Sequence, residues 1–461
     1  MNNKHTEMLG KMDVKKALIK LSIPATIGML VNALYNLVDS LFVGWGAGEI
    51  AIGALTLAFP VQMIVMAAAL GVGIGSASVF SRAYGRNNKE AMHNTVNTAV
   101  RFGLLLAILI SVLGQIFLDD LLLFFGASDS NIGFARSYLS IILIAVPFQS
   151  LSMILNNLTR AEGRAKVAMQ AMVLGTGLNL ILDPIFIFDW GLGLGVSGAA
   201  IATAISQFSA FSFIFYKTFA KESLLDIVFT KFFDVSKQEL KEIIMIGLPT
   251  FFRNSVGAFL AIAILNFIKF YMGDDAAIYQ SMYGVSNRVM MFVFMPGFGL
   301  IQGLAPIAGY NFGAKNWERL KEVIIFATKI LSVYFAIGFI LMQLGAPFIF
   351  DVFSKTNDQV FITEGSRLFR LMTAGLFLIT FQILASAVYQ SFGYAKRAMF
   401  ISLSRQLIFF IPIALIFTNI WQLDGLWYTF AVSDIISGTI GAFMLIYEIR
   451  VLGKMMTKKT A

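Results

Sequence analysis

Two aspartates stand inside runs that otherwise belong in lipid. Asp39 lies between "SIPATIGMLVNALYNLV" and "SLFVG", and Asp183 closes "GLNLIL" just ahead of Pro184. Ionisable groups within apolar spans are costly and usually functional. Two carboxylates close together in a medium of low dielectric repel each other, and a proton or a small cation relieves the repulsion. An oxygen-only set such as Asp, Asn, Thr and a backbone carbonyl suits a hard cation or a shared proton equally. Asn179 and Thr203 are at hand to join such a set.

Polar companions fall in stripes at helical spacing. They are Asn32, Tyr35, Asn36 and Asp39 on one span, and Met172, Thr176, Asn179 and Asp183 on another. Gln149, Ser152 and Asn156 form a third stripe, and Thr203 lies one turn from both Ala199 and Gln207. Side chains three and four apart share a helix face, so the stripes describe a polar chamber. Counting from the loops, Asp39 precedes Gly44 by five residues and Asp183 precedes Asp189 by six. Both carboxylates then sit about 7–9 Å inside one face of the membrane. Taken singly, each has a plainer reading: Asp39 reaches water, and Asp183 stabilises a kink at Pro184. Matched depth with Asn179 and Thr203 nearby favours a joint role.

The elements that must position these groups are membrane helices. Of 461 residues, 58% are hydrophobic and 13% charged, against about 45–50% and about 25% in soluble domains. A crossing helix needs about 20 apolar residues. The chain reads as twelve spans, at roughly 17–43, 52–80, 95–118, 134–158, 166–188, 196–219, 242–271, 277–307, 322–345, 367–391, 397–418 and 425–449. The polar start, Met1 to Lys16, runs straight into a helix too long for a signal-peptide core. With no cysteine and only His5 and His93, both expected outside the helices, thiolate chemistry, a His metal site and a His-dependent enzyme are set aside. The net charge of +9 is assigned to loops facing anionic lipid rather than to nucleic acid.

Lys and Arg collect on alternate connections: Arg82, Arg86 and Lys89; Arg160, Arg164 and Lys166; Lys315, Arg319 and Lys321; Lys396 and Arg397. The tails join them through Lys11, Lys15 and Lys16 and through Arg450, Lys454, Lys458 and Lys459, while the other connections carry Glu49, Asp119, Asp120, Asp129, Asp189, Asp274, Asp275 and Asp424 with Lys355 as their one cation. The positive-inside rule puts both termini in the cytoplasm of a cell whose plasma (inner) membrane holds the protein.

A charged connection, Lys221 to Lys241, divides two halves that resemble each other. "LIKLSIPAT" answers "IIMIGLPTF", "GVGIG" answers "GLIQG", "GRNNKEA" answers "GAKNWER", and "GRAKVAM" answers "GYAKRAM". The expected units are residues 1–220 and 242–461, joined by 221–241. Six spans per unit make this a parallel repeat about an axis along the membrane normal, with a cleft between the bundles. The glycines of 71–75 follow no strand and are expected in close helix packing rather than in a phosphate loop. No nucleotide-binding motif occurs, so an ion gradient or a partner protein must supply energy.

On these residues the chain resembles the multidrug and toxic compound extrusion (MATE) family, over essentially its whole length. The most specific pieces are "SIPATIGMLVNALYNLVDSLFVG", "LNLILDPIFIF" and "GVSGAAIAT". The resemblance implies an all-α membrane protein, a V-shaped pair of six-helix bundles, that antiports H⁺ or Na⁺ against small drug-like, mostly cationic compounds. It implies coupling at Asp39 and Asp183, completed by Asn179, Thr203 and the Ala199 carbonyl, with Na⁺ there as the only metal. Tyr35, Tyr138, Asn156, Met172, Thr176 and Gln207 match chamber positions, and Pro24 matches a bend in the first helix. No cofactor is implied, and the chain is expected to work as a monomer.

Another branch of the family carries acids in the seventh and tenth helices, where this chain has Arg253, Asn254 and Gln382. Its second half instead holds Arg253, Arg288, Arg405 and Asp434 at membrane depth. They read either as a salt-bridge network tying helices together or as a site for an anionic or zwitterionic substrate group. Two rival functions stay open: a flippase of lipid-linked saccharides and a channel. An embedded enzyme lacks a nucleophile beside a base.

Overall fold

The computed structural model describes residues 4–47, 49–125, 127, 131–228, 235–354 and 358–460. Asp129 and Lys355 lie outside that set, as do the side chains of His5, Asn36, Glu49, Lys458 and Lys459. The described residues form helices and connections with no strand.

The first lobe holds α2 (Val14–Ala47), α3 (Glu49–Gly85), α4 (Lys89–Ile116), the short α5 (Leu118–Phe124), α6 (Ile132–Ala161), α7 (Ala165–Ile187) and α8 (Gly195–Thr218); a small α1 (Lys4–Gly10) precedes them. The second lobe holds α9 (Lys237–Met272), α10 (Ala276–Gly313), α11 (Trp317–Phe353), α12 (Gln359–Thr373), α13 (Leu376–Phe392), α14 (Ala395–Leu403) and α15 (Ile411–Thr460). Apolar composition all round these helices is what a bilayer requires. Two apolar stretches, Lys237–Gly313 and Ala395–Thr457, run to 77 and 63 residues, each long enough for two crossings. The second of these is broken at Gln422 (φ 53°, ψ −130°) and relaxed by a π-helical turn at Ser404–Phe410. The tenth crossing is likewise composite, α12 meeting α13 at 40°.

The repeat is written into the backbone. The Asn88 side chain caps α4 by accepting from the Ala91 N–H at 3.0 Å, and Asn316 caps α11 from the Arg319 N–H at 3.3 Å. The residue before each cap, Asn87 and Lys315, is left-handed at φ 57° and 54°.

The lobes meet along a seam at the end that carries both termini. Gly71 and Gly75 on α3 press on Gly247 and Ile243 of α9, so that a methyl placed at Gly75 falls 2.2 Å from the Ile243 carbonyl oxygen. In the repeat-related pair, Gly299 and Gly303 on α10 press on Thr26 and Ser22 of α2. Close packing is the use of both glycine runs, as the sequence suggested for 71–75.

The connections are less simple than their composition. Arg82 and Arg160, read as loop cations, close the last turns of α3 and α6 and are buried. Arg82 reaches across the seam to Glu242 at 2.9 Å, because each guanidinium finds its partner at a helix end. His5 falls within α1 and His93 within the second turn of α4, neither outside the helices, and His93 faces Asp226 at 3.0 Å. The stretch 223–228 is bonded to the first lobe. Asn97 donates to the Asp226 carbonyl and accepts from the Val228 N–H, and Arg101 donates to the Val228 carbonyl. Glu162, fully buried, accepts from the Leu224 N–H at 2.6 Å and pairs with Arg164 at 3.0 Å. Burial pushes its carboxyl up to about 7, against the opposing pull of those partners. By contrast α1 docks on the second lobe, where Asn311 and Arg319 donate to the Leu9 carbonyl.

Candidate functional site

Two facing helices build the site. α2 and α7 approach closely because Gly28 leaves room for Met172 and Gly46 leaves room for Ile187. Their inner faces carry Asp39 and Asp183, whose carboxyl groups come within hydrogen-bonding reach of each other. Asn179, one turn below Asp183, donates its amide N–H to Asp183 Oδ1 at 2.7 Å. Asp183 is fully buried, and its Oδ2 and the Oδ1 of Asp39 are buried oxygens without a hydrogen-bond partner in the described residues. An unpartnered buried oxygen is costly. Two on facing carboxyls are an opening for a proton or a cation.

Around this pair stand hydroxyls and an amide. Tyr35 bonds to Thr203 of α8 and lies near both aspartates and Tyr138. Tyr138 on α6 accepts from Gln62 Nε2 of α3 at 3.2 Å. Three of the first lobe's helices, α3, α6 and α8, thus add side chains to the two that carry acids. Gln62 was missing from the sequence-based set, and its place in a helix without another polar residue at matching spacing gave no signal.

The expected coupling and chamber residues separate into two groups. Thr203, Tyr35, Tyr138 and Asn179 converge on the acids. Asn156 does not line an open space: it is buried and donates to the Ala168 carbonyl at 2.9 Å, tying α6 to α7. Thr176 turns its hydroxyl back to the Met172 carbonyl at 2.8 Å, and Met172 sits against Arg160 and Gly28. Gln207 keeps a buried, unpartnered Oε1, and Gln149 and Asn32 are half-buried on their helices. Ala199 is buried within unbroken α8, so the helix ladder already engages its carbonyl. Pro24 sits inside continuous α2, where it supplies no N–H to the carbonyl of Lys20. No group of three or more His, Asp or Glu that could hold a metal occurs among the described residues.

In the second lobe one ion pair forms where a network was one of the readings. Arg405 on the π-helical turn donates to Asp434 Oδ1 of α15 at 2.5 Å, and Asp434 is buried. Arg253 is half-buried and Arg288 exposed, and neither forms an ion pair among the described residues.

The architecture has known counterparts. The MatE family model matches residues 24–185 and 249–416, one copy in each lobe. The multidrug export protein MepA of Staphylococcus aureus (strain N315) is 28% identical over 441 residues, 95% of each chain. A MATE crystal structure in complex with MaL6 superposes with a TM-score of 0.90 at 29% identity, covering 98% of this chain and 100% of that one. An outward-facing multidrug resistance MATE transporter of the MOP superfamily gives 0.89 at 30% identity over the same shares. A V-shaped pair of six-helix bundles, foreseen from the sequence, is therefore the fold, and the chain belongs to the MatE family of multidrug and toxic compound extrusion transporters.

Proposed function

We propose that this chain is a secondary multidrug exporter that antiports H⁺ or Na⁺ against small amphiphilic, mostly cationic compounds by alternating access. The observation that carries the reading is the meeting of Asp39 and Asp183, each with a buried oxygen left unbonded. Similarity to a multidrug export protein and to an outward-facing transporter supports it. The seam closes the end with the termini, which on the distribution of Lys and Arg faces the cytoplasm, so this state opens outward.

An ion entering from outside neutralises the carboxyl pair. Asn179 and Tyr35 then lose the charge that orients them, and α2 repacks about Pro24, where its ladder lacks a hydrogen bond. The chamber contracts and cargo leaves outward. One charge moved through 100 mV supplies about 2.3 kcal/mol, enough for an outward gradient of roughly 50-fold when the cargo is neutral.

Asp39→Asn and Asp183→Asn are each expected to abolish drug resistance in a pump-deficient host at normal surface expression. Full resistance in both would reject the coupling role. Efflux from proteoliposomes with ΔpH and ΔNa⁺ imposed separately identifies the ion. A second reading, export of an anionic or zwitterionic metabolite, is favoured by the guanidinium groups of Arg253 and Arg288, which form no ion pair among the described residues. The flippase alternative predicts no dye efflux.

A further inference from the structure

A second cavity lies away from the carboxylates, on the outside of the seam. It encloses about 280 Å³ between α2, α10 and α11. Leu18, Ile23 and Ile27 form one wall, and Pro296, Leu300 and Ile330 face them. Of the polar side chains in the walls, Ser22, Thr26 and Tyr334, two are engaged. The Ser22 hydroxyl donates to the Leu300 carbonyl at 3.4 Å, and the Tyr334 hydroxyl to the Val293 carbonyl at 2.9 Å. A polar guest would find only the Thr26 hydroxyl, so the cavity suits hydrocarbon. Its lips open to the bilayer: Ile19, Ile23 and Ile27 are 46%, 53% and 44% exposed.

Cations stand at its edge nearest the termini. Lys16, Lys20, Ile23 and Ile27 repeat at four, three and four residues along α2 and so share one face. Lys329 of α11 directly precedes the wall residue Ile330. All three lysines are exposed, and none forms an ion pair among the described residues. Hydrocarbon space above three cations, all near the membrane face that holds the termini, matches a molecule with an acyl chain and an anionic head.

We infer that this groove binds an anionic glycerophospholipid of the leaflet nearest the termini, one acyl chain lying along Ile23, Ile27, Leu300 and Ile330 and the phosphate at Lys16, Lys20 and Lys329. The bound chain rests beside Ser22 and Thr26, where α2 meets Gly303 and Gly299, and so sits against the contact that separates when the lobes part. The inference stands on binding alone and does not depend on which ion or cargo is transported.

Native mass spectrometry of the full-length protein tests it, with phosphatidylglycerol and phosphatidylcholine of identical acyl chains as probes. The expected result is tighter retention of phosphatidylglycerol by the unaltered chain. The K16Q/K20Q/K329Q variant should weaken that retention by roughly 100-fold, at about 1 kcal/mol per cation, and remove the preference. The corresponding triple Arg variant should keep it, which separates loss of charge from loss of fold. Ile23→Trp, filling the groove, should weaken both lipids. Equal retention of the two lipids by the unaltered chain, or unchanged phosphatidylglycerol in the Gln variant, overturns the inference. So does one-for-one displacement of the lipid by ethidium, which would assign the groove to cargo.

Discussion

Replacing Gly75 with Ala adds a single methyl at the seam and tests whether the seam is the closed gate. That methyl would lie 2.2 Å from the Ile243 carbonyl oxygen, and ordinary contact begins at 3.4 Å. The obstacle is backbone, which cannot rotate aside, so α3 and α9 must separate by about 1.2 Å, the difference of those two distances. Overpacking of this kind costs about 1–3 kcal/mol. The clash exists only while the lobes touch at this end. The helix-propensity gain of Ala over Gly, about 1 kcal/mol, is present in both states and cancels. The substitution should therefore favour the parted state by roughly 5- to 150-fold. A chain with no cysteine takes spin labels without background. Cysteines placed at Glu90 and Glu318, exposed in the first turns of α4 and α11, report the separation of the two lobes by pulsed electron resonance. Gly75→Ala, and Gly247→Ala on the facing helix, should populate longer distances, while Gly133→Ala, with open space around it, should not. Distance distributions unchanged in both seam variants, with thermal stability also unchanged, would refute the steric argument.

Asp434→Asn should destabilise the second lobe by about 1–3 kcal/mol, since it leaves the half-buried Arg405 guanidinium beside an uncharged partner. Thermal unfolding in detergent checks this, and Arg405→Met combined with Asp434→Leu should recover most of the loss. Glu162 gives a pH dependence. Its carboxyl ordinarily ionises near 4.5 but here near 7, so in that window the unfolded chain releases its proton first and stability falls as pH rises. About 3 kcal/mol present below the ordinary value is lost by the time pH passes 7, and a melting curve of Glu162→Gln that declines as steeply as the unaltered chain would contradict it.

Fold and site were legible to different depths. Hydropathy and the offsets of the repeated motifs disclosed the helices and their pairing, because a bilayer admits few alternatives. Asp39, Asp183 and Asn179 announced themselves by polarity in an apolar run. Gln62 did not, as one amide in a helix has no periodic partner to mark its direction. Asn156 misled, because a stripe gives the face of a helix but not whether lumen or neighbour lies opposite. For Arg82 and Arg160, charge near a helix end read as solvated loop, whereas tertiary contacts with Glu242 and Met172 bury it. The capped turns at Asn88 and Asn316 were present as matched motifs, yet only backbone angles revealed their shared left-handed residue.

The attachments of α1 and of the stretch 223–228 change where the molecule can swivel. By composition the divide falls across the charged connection of residues 221–241. By hydrogen bonding, the chain's first helix rides with the far lobe, while 223–228 and Ser236, whose N–H is held by Thr98, ride with the near one. Rigid-body rotation therefore has two axle points on the polypeptide, the short step from Gly10 to Val14 and the entry to α9 at Lys237. Both lie at the closed end of the V, so each lobe's covalent leash crosses over to its neighbour close to the pivot, where the lever arm is shortest and the far mouth swings widest.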